Sequence, residues 1–144
     1  MEEKNQKQKI ENLMFISWAI AFIGTIGSLY FSEVRHYIPC ELCWVQRIFM
    51  YPLAITLAIA VIRKDAKQAV YTLPLSLLGA GFSLYHYLQQ KIPVIGENSG
   101  ACGIIPCTHQ YINWLGFITI PFLAFMAFIS ISLIMVWIIK TTKE

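Results

Sequence analysis

Hydrophobic residues along this chain are gathered into four long blocks that are separated by shorter polar stretches. The blocks cover about residues 13–31, 44–62, 69–88 and 114–139. The first block contains no charged side chain, and the second contains one, Arg47. An α-helix rises about 1.5 Å per residue, so a block of about 20 residues crosses the ~30 Å hydrocarbon layer of a bilayer. The pattern therefore predicts an all-α membrane protein, a four-transmembrane-helix bundle that forms a single integral membrane domain over residues 1–144.

The composition agrees with this interpretation of the blocks. The chain is 57% hydrophobic and 13% charged, whereas soluble domains are about 25% charged. The basic start resembles a signal peptide, but the first apolar block is too long for one and no cleavage motif of small residues follows it, so we expect a retained helix. Small residues inside the blocks, among them Gly24, Gly27, Gly79 and Gly81, are expected to let neighbouring helices pack closely.

The distribution of lysine and arginine predicts the orientation in the membrane. Eight of these residues lie in the N-terminal tail, in the turn at 63–68 and in the C-terminal tail, which four crossings place on one side. The two loops on the other side contain only Arg35 and Lys91. Loops rich in Lys and Arg stay in the cytoplasm. We therefore expect a multi-pass protein of the cell membrane with both termini in the cytoplasm and two extracytoplasmic loops.

All four cysteines fall in these two predicted extracytoplasmic loops. Cys40 and Cys43 lie in the first loop, and Cys102 and Cys107 lie in the second. Cysteines in an oxidising compartment commonly form disulfides, and Cys-x-x-Cys is also a spacing used for redox chemistry. Three interpretations are open at this point: two permanent disulfides, redox-active pairs, and a four-cysteine zinc site, which an oxidising compartment disfavours.

The first cysteine pair stands at the start of the second predicted helix, where the positive end of the helix dipole favours a thiolate. Arg47 follows Cys43 by four residues, on the same helical face and about 6 Å deeper. A charge at this depth is expensive, which suggests a functional site that stabilises a thiolate or negative charge on an electron acceptor. The alternative is an arginine that extends outward to the lipid headgroups. Gln46 beside it offers a further hydrogen bond to a carbonyl.

The second cysteine pair differs from the first in its surroundings. Cys102 and Cys107 are separated by four residues in a loop that contains glycine and proline, which favours a turn. A disulfide that closes so short a loop stabilises a fold only modestly. This pair therefore fits an exchangeable disulfide better than a permanent structural disulfide.

Together these features resemble the DsbB family of disulfide-generating membrane proteins. The stretch 40–47, of sequence CELCWVQR, is similar to the family signature at the start of a second helix, and the second pair lies between helices three and four. The resemblance covers nearly the whole chain. The short second loop is more similar to BdbC-type members of Gram-positive bacteria than to the longer-looped Gram-negative members.

The resemblance implies a thiol:quinone oxidoreductase. Such a protein reoxidises an extracytoplasmic thioredoxin-fold thiol oxidase of the DsbA or BdbD type and passes the electrons to a membrane quinone; the BdbC-like pattern favours menaquinone over ubiquinone. In that relay Cys102 would be attacked by the partner's thiolate and Cys107 would be its mate. Cys40 would take part in exchange between the loops, and Cys43 would be the sulfur next to the quinone.

The resemblance also implies a set of quinone-binding residues. Arg47 would stabilise the reduced quinone, with Cys43 and Gln46 beside it. His86, near the outer end of the third helix, resembles a histidine that some family members carry there. The short spacing between Cys102 and Cys107 departs from the Gram-negative pattern, so the order of exchange between the two loops stays open.

Two other classes of protein share parts of this pattern. A small tetraspan transporter with two structural disulfides would usually keep an acidic residue in the membrane, but the four blocks contain no Asp or Glu. A haem-bearing electron carrier with two histidine ligands would need a pair of intramembrane histidines, whereas only His86 falls near the bilayer. These features count against both alternatives, and the transporter with two structural disulfides is kept as the alternative.

Overall fold

The structure is a computed structural model that describes residues 1–38, 41–92, 94, 116 and 118–143. The described residues form four long helices, so the predicted all-α architecture is confirmed for this part of the chain. Cys40, Cys102 and Cys107 lie outside it. The helices are α1 (Glu2–Leu29), which continues into a π-helical turn (Tyr30–Val34), α2 (Glu41–Arg63), α3 (Ala69–Lys91) and α4 (Ile120–Lys143).

Helix α1 is longer than the apolar block that predicts it, because it begins at Glu2. Residues 2–12 are mostly Glu, Lys, Gln and Asn, and the first three of these are good helix formers. Glu2 and Glu3 in the first turn also complement the helix dipole. Hydropathy marks the part of a helix that meets lipid, and the helix itself continues beyond that part.

Helix α4 begins at Ile120, six residues later than the predicted block that starts at 114. Gly116 has a positive φ of 80°, which an α-helix does not allow. The carbonyl of Thr119 accepts the first helical hydrogen bond, from the backbone N–H of Leu123 at 3.0 Å. Pro121 then lies in the first turn, where its missing N–H is harmless. Helix α4 therefore begins later than the apolar block, because apolarity does not report the backbone conformation of Gly116.

Within the described part, three helical segments are long and apolar enough to cross a membrane: Glu2–Val34, Glu41–Arg63 and Ile120–Lys143. Helix α3 has 23 residues, or about 34 Å, which is also sufficient in length. Its apolarity is lower because one face carries buried polar side chains, among them Thr72, Ser76, Ser83, His86 and Gln89. These side chains point into the bundle.

The four helices pack in a ring, in which α1 contacts α2 and α4, and α3 contacts α2 and α4. The contact between α3 and α4 is the most extensive. At one end of the bundle, Lys91 of α3 donates to the carbonyl of Gly116 ahead of α4 at 2.6 Å. At the other end, an ion pair of 3.2 Å between Lys64 and Glu11 joins the α2–α3 turn to the early part of α1. Successive helices therefore run in opposite directions. We call the end where α2 begins and α3 ends the cysteine end, because Cys43 lies there.

The predicted packing role of the small residues is confirmed at two glycines and not at two others. A Cβ atom on Gly79 would lie 2.4 Å from Phe128 of α4, and one on Gly24 would lie 3.3 Å from Met50 of α2. These two glycines permit close helix contact. A Cβ on Gly27 or Gly81 would meet nothing within 4 Å.

Candidate functional site

The first turn of α2 places Cys43 at the cysteine end of the bundle. Helix α2 begins at Glu41, directly after the first cysteine of the pair, so Cys43 lies among the first backbone N–H groups of the helix. These groups point along the axis and stabilise a negative charge on the sulfur. The Cys43 side chain is half-buried and faces a cavity between the helices. Its predicted position at a helix start is confirmed.

Arg47 lies one turn below Cys43 and joins α2 to α1. Its Nη2 donates a hydrogen bond of 2.9 Å to the carbonyl of Ser28. Its guanidinium carbon lies 5.2 Å from the centre of the Trp44 ring, a distance at which a cation and an aromatic face attract each other. The arginine is therefore held inside the bundle, and the alternative of a side chain extended to the headgroups does not describe this structure.

The acceptor for Arg47 lies at a change in the hydrogen-bond register of α1. Ser28 stands just before the π-helical turn Tyr30–Val34, in which Arg35 N–H bonds to the carbonyl of Tyr30 at 3.2 Å. A change from i+4 to i+5 bonding disturbs the pairing of backbone groups near the change and often occurs at functional sites. Here it accompanies a carbonyl that accepts from a side chain on another helix.

Gln46 and His86 form a buried pair between α2 and α3. Nε2 of Gln46 lies 2.9 Å from Nδ1 of His86, and the two residues are 6% and 1% exposed. An amide nitrogen can only donate, so Nδ1 is the acceptor in this contact. Both residues were selected from the sequence, but their contact was not predicted, because nothing in the sequence relates the register of α2 to that of α3.

A cavity of about 430 Å³ lies between α1, α2 and α4 at the cysteine end. Cys43, Gln46 and Arg47 line its α2 side, and most of the remaining lining is apolar or small. Phe31 and Tyr37 line it near the π-helical turn, where their rings stack with centroids 5.8 Å apart. The sequence analysis selected none of the following α1 and α4 lining residues as site residues, and it interpreted Gly24 and Gly27 among them as packing positions: Ile20, Ile23, Gly24, Gly27, Ser28, Ile120, Leu123, Ala124, Ala127 and Phe128.

His86 is not part of the cavity lining. It lies behind Gln46, whose side chain borders the cavity and also contacts the imidazole. Of the four predicted quinone-binding residues, Cys43, Gln46 and Arg47 line the cavity. His86 is connected to it only through Gln46. The other three cysteines, Cys40, Cys102 and Cys107, lie outside the described residues. The structure therefore does not test the alternative of a four-cysteine zinc site. The described part contains no cluster of three His, Cys, Asp or Glu residues that could hold a metal ion.

Comparisons with known proteins agree with the features of this site. The family model described as "Disulfide bond formation protein DsbB" matches residues 10–138. Disulfide bond formation protein C of Bacillus subtilis is 52% identical over 122 residues, which are 85% of this chain and 88% of that protein. No solved structure gives a significant match.

Two further relatives cover still more of the chain. Probable disulfide formation protein C 1 of Bacillus anthracis is 50% identical over 135 residues, which are 94% of this chain and 97% of that protein. Probable disulfide formation protein C of Halalkalibacterium halodurans is 53% identical over 133 residues, which are 92% of this chain and 97% of that protein. Since the family model also spans all four helices, the chain belongs to the DsbB family of disulfide bond formation proteins.

Proposed function

We propose that this protein is a thiol:quinone oxidoreductase of the cell membrane. It reoxidises an extracytoplasmic thioredoxin-fold thiol oxidase of the DsbA or BdbD type and passes two electrons to a membrane quinone. The observation that carries this proposal is the shared wall of the cavity, where Cys43, Gln46 and Arg47 stand side by side in an otherwise apolar space. Such a wall combines a redox-active sulfur with donors for an oxygen anion.

The cavity fits a quinone in size and in chemistry. Small-molecule sites are typically apolar clefts of about 300–1,000 Å³ with a few polar groups on the walls, and this cavity is about 430 Å³. A quinone has an apolar ring and tail with carbonyl oxygens at the ring edge, so it needs donors on one side. When bound, it supplies an acceptor for two electrons and two protons. Menaquinone is our preferred candidate, on the strength of the similarity to the Bacillus proteins.

The protein's own groups are arranged to hold negative charge next to the cavity. Cys43 lies within the first turn of α2, where backbone N–H groups stabilise a thiolate. Arg47 brings a fixed positive charge to the cavity wall and is held by Ser28 and Trp44, so it does not need to reorganise when charge arrives. Gln46 is buried and fixed by His86, so its amide is also preorganised.

The two cysteine pairs would connect a water-borne donor to this cavity. The partner's thiolate attacks Cys102 and displaces Cys107, and exchange with Cys40 then leaves the electrons on the first pair, with Cys43 as the sulfur nearest the quinone. The predicted orientation places both loops outside the cytoplasm, where the partner oxidase acts. Each exchange breaks one S–S bond and forms another, so two electrons pass along the relay without a free intermediate.

A quinone-reduction assay tests the proposal. The protein is purified, placed in lipid nanodiscs with a short-tailed menaquinone, and supplied with a reduced BdbD-type oxidase while quinol formation is followed. The wild-type protein should reduce the quinone, and Cys43→Ser should lose this activity while it retains its helical circular dichroism spectrum.

Ser130→Ala provides a matched control, because Ser130 bonds only to its own helix at Met126 in the described structure. This variant should keep full activity. Full activity in Cys43→Ser would contradict the proposed relay. A wild-type protein that reduces no quinone would favour a transporter with structural disulfides.

A further inference from the structure

Arg47 lies on α2 between an exposed tryptophan and the cavity. Trp44 precedes it by three residues and is 53% exposed, so its indole lies on the outer side of the bundle. Cys43 precedes it by four residues and lines the cavity. Arg47 itself is half-buried. Its long side chain therefore stands where it can turn either outward or into the cavity.

The direction of α2 favours the outward position. Side chains of an α-helix lean toward its N-terminus and cover the preceding turn. Helix α2 begins at the cysteine end, so the side chain of Arg47 leans toward the membrane surface at that end. Charged side chains near the ends of membrane helices commonly extend to the headgroups in this way. Without a restraint, the guanidinium would therefore leave the cavity for headgroup phosphates.

Two contacts hold the guanidinium inside the bundle instead. Its Nη2 donates a hydrogen bond of 2.9 Å to the carbonyl of Ser28, and its carbon lies 5.2 Å from the centre of the Trp44 ring. Aromatic rings attract cations at this distance, Trp most strongly, and the attraction grows where water is excluded. Because Trp44 belongs to the turn that precedes Arg47, its indole also occupies the way from the guanidinium to the headgroups.

No carboxylate neutralises the charge of Arg47 within the described residues. The ion pair found there joins Lys64 and Glu11 at the opposite end of the bundle. A guanidinium carries several N–H donors, and the contact with the Trp44 ring is made by charge rather than by a hydrogen bond. Both the charge and donors beyond the one bound to Ser28 thus remain for an anion in the cavity that Arg47 lines.

We propose that Trp44 is a positioning residue, whose indole keeps the guanidinium of Arg47 at the cavity wall and away from the lipid headgroups. The inference rests on the proposed thiol:quinone activity and adds to it a residue outside the cavity. Trp44 does not line the cavity, so it acts on quinone reduction only through Arg47.

An exposed tryptophan near a helix end has a second common role. Trp and Tyr are enriched at both surfaces of a membrane, where they anchor helices. Trp137, near the end of α4, is also exposed, at 41%, and no cation lies over its ring in the described structure. An anchor stabilises the protein whether or not Arg47 is present. A positioning residue, by contrast, has no effect on quinone reduction once Arg47 has been removed.

The lipid should influence Arg47 once the indole is absent. Anionic headgroups attract a basic side chain more strongly than zwitterionic headgroups do. Loss of the Trp44 ring should therefore be more harmful in membranes of phosphatidylglycerol than in membranes of phosphatidylcholine. With the indole in place, the two lipids should give similar rates.

The first test locates Arg47 without any quinone. The protein and its variants are placed in quinone-free nanodiscs of phosphatidylglycerol and treated briefly with phenylglyoxal, which modifies arginines that water reaches. Mass spectrometry measures the modification of Arg47, with the exposed Arg35 at the same end as the internal standard. Trp44→Leu and Trp44→Met remove the aromatic face, Trp44→Phe keeps one, and Trp137→Leu is the matched control.

We expect little modification of Arg47 in the wild type and about threefold more, or greater, in Trp44→Leu and Trp44→Met, as expected for the loss of one cation–π contact. Trp44→Phe should lie closer to the wild type, because its ring still attracts the guanidinium. Trp137→Leu should equal the wild type. Modification of Arg35 should be the same in all of them.

The second test measures two rates in the same variants: kcat/KM for a short-tailed menaquinone, and thiol–disulfide exchange with the reduced oxidase in quinone-free nanodiscs. Trp44→Leu should lower kcat/KM by about threefold to tenfold, and by more in phosphatidylglycerol than in phosphatidylcholine. Thiol exchange should keep its wild-type rate, which also reports a folded protein. In an Arg47→Ala background, Trp44→Leu should cause no further loss.

Modification of Arg47 that is the same in Trp44→Leu and Trp44→Met as in the wild type would overturn the inference and leave the proposed function intact. An equal loss of quinone reduction with and without Arg47 would also overturn it, because Trp44 would then be an anchor. A wild-type protein that reduces no quinone would overturn the proposed function, whereas the modification of Arg47 would still show whether Trp44 holds it.

Discussion

The guanidinium of Arg47 on α2 donates a 2.9 Å hydrogen bond to the backbone carbonyl of Ser28 on α1. This bond fixes the positive charge against the cavity that also contains Cys43. Arg47 can stabilise negative charge in the cavity through its own charge and through the fixed position of its donors. Substitutions to alanine and to lysine test these two contributions separately.

Arg47→Ala should impair quinone use and leave exchange with the partner oxidase nearly intact. Loss of one preorganised donor to a developing anion typically lowers the rate by about 100-fold or more. Arg47→Lys keeps the charge but loses the planar guanidinium with its several N–H donors. Its rate should therefore lie between those of Arg47→Ala and the wild type. Steady-state kinetics with varied quinone concentration measure this loss. If thiol exchange fell by the same factor, Arg47 would be a structural residue.

The Gln46–His86 contact should show as a coupling in a double-mutant cycle. Gln46→Leu and His86→Phe each leave a buried polar partner unpaired, which costs about 1–3 kcal/mol. The double variant removes both polar groups, so its loss should be smaller than the sum of the two single losses. Reversible unfolding in mixed micelles gives the free energies. The control is a cycle between Gln46 and Ser132, in which the two losses should be additive. An additive result for Gln46 and His86 would mean that their contact does not contribute to the free energy of unfolding.

Gly27 and Gly81 form a matched pair for testing the cavity. Neither glycine has an atom within 4 Å of an added Cβ, but Gly27 lines the cavity whereas Gly81 is exposed on the outer face of α3. Gly27→Leu should fill part of the cavity and raise the KM for quinone several-fold, and Gly81→Leu should leave it unchanged. Thermal stability should not fall in either variant. An unchanged KM in Gly27→Leu would place the quinone elsewhere.

Gly79 should tolerate no side chain as long as Phe128 is present. An added Cβ would lie 2.4 Å from the Phe128 ring, which is completely buried. Gly79→Ala should therefore destabilise the bundle by about 1–3 kcal/mol, as overpacking does in other cores. Phe128→Leu should relieve part of this loss in the double variant. Gly81→Ala is the control, and equal thermal shifts for the two alanine variants would contradict the close contact of α3 and α4.

The sequence predicted the four helices of the described part, because a bilayer sets the length of an apolar segment and hydropathy reports that length directly. It predicted helix ends less well. Glu2 and Ile120 differ from the predicted limits because helix formation depends on backbone hydrogen bonds and φ angles, and apolarity reports neither. The orientation of the chain in the membrane stays a prediction.

Three residues of the cavity wall were selected from the sequence, but the assembly of the cavity was not predicted. Cys43, Gln46 and Arg47 share one helix, so their spacing alone puts them near each other. The contacts to Ser28 and His86 depend on how α1 and α3 rotate against α2, which no local pattern encodes. Gly27 was interpreted as a packing residue, and composition alone could not distinguish it from Gly79, which does pack.

A helix with the polar face of α3 does not enter a bilayer readily on its own, because serine, histidine and glutamine lower the free energy gained on insertion. Helix α4 is strongly apolar, packs most extensively on α3, and carries Ser132 to pair with Ser76. We therefore expect α3 and α4 to integrate as a hairpin during biosynthesis, after α1 and α2. Chains truncated before α4 should leave α3 outside the lipid, so the cavity next to Cys43 is completed only when the last helix has been made.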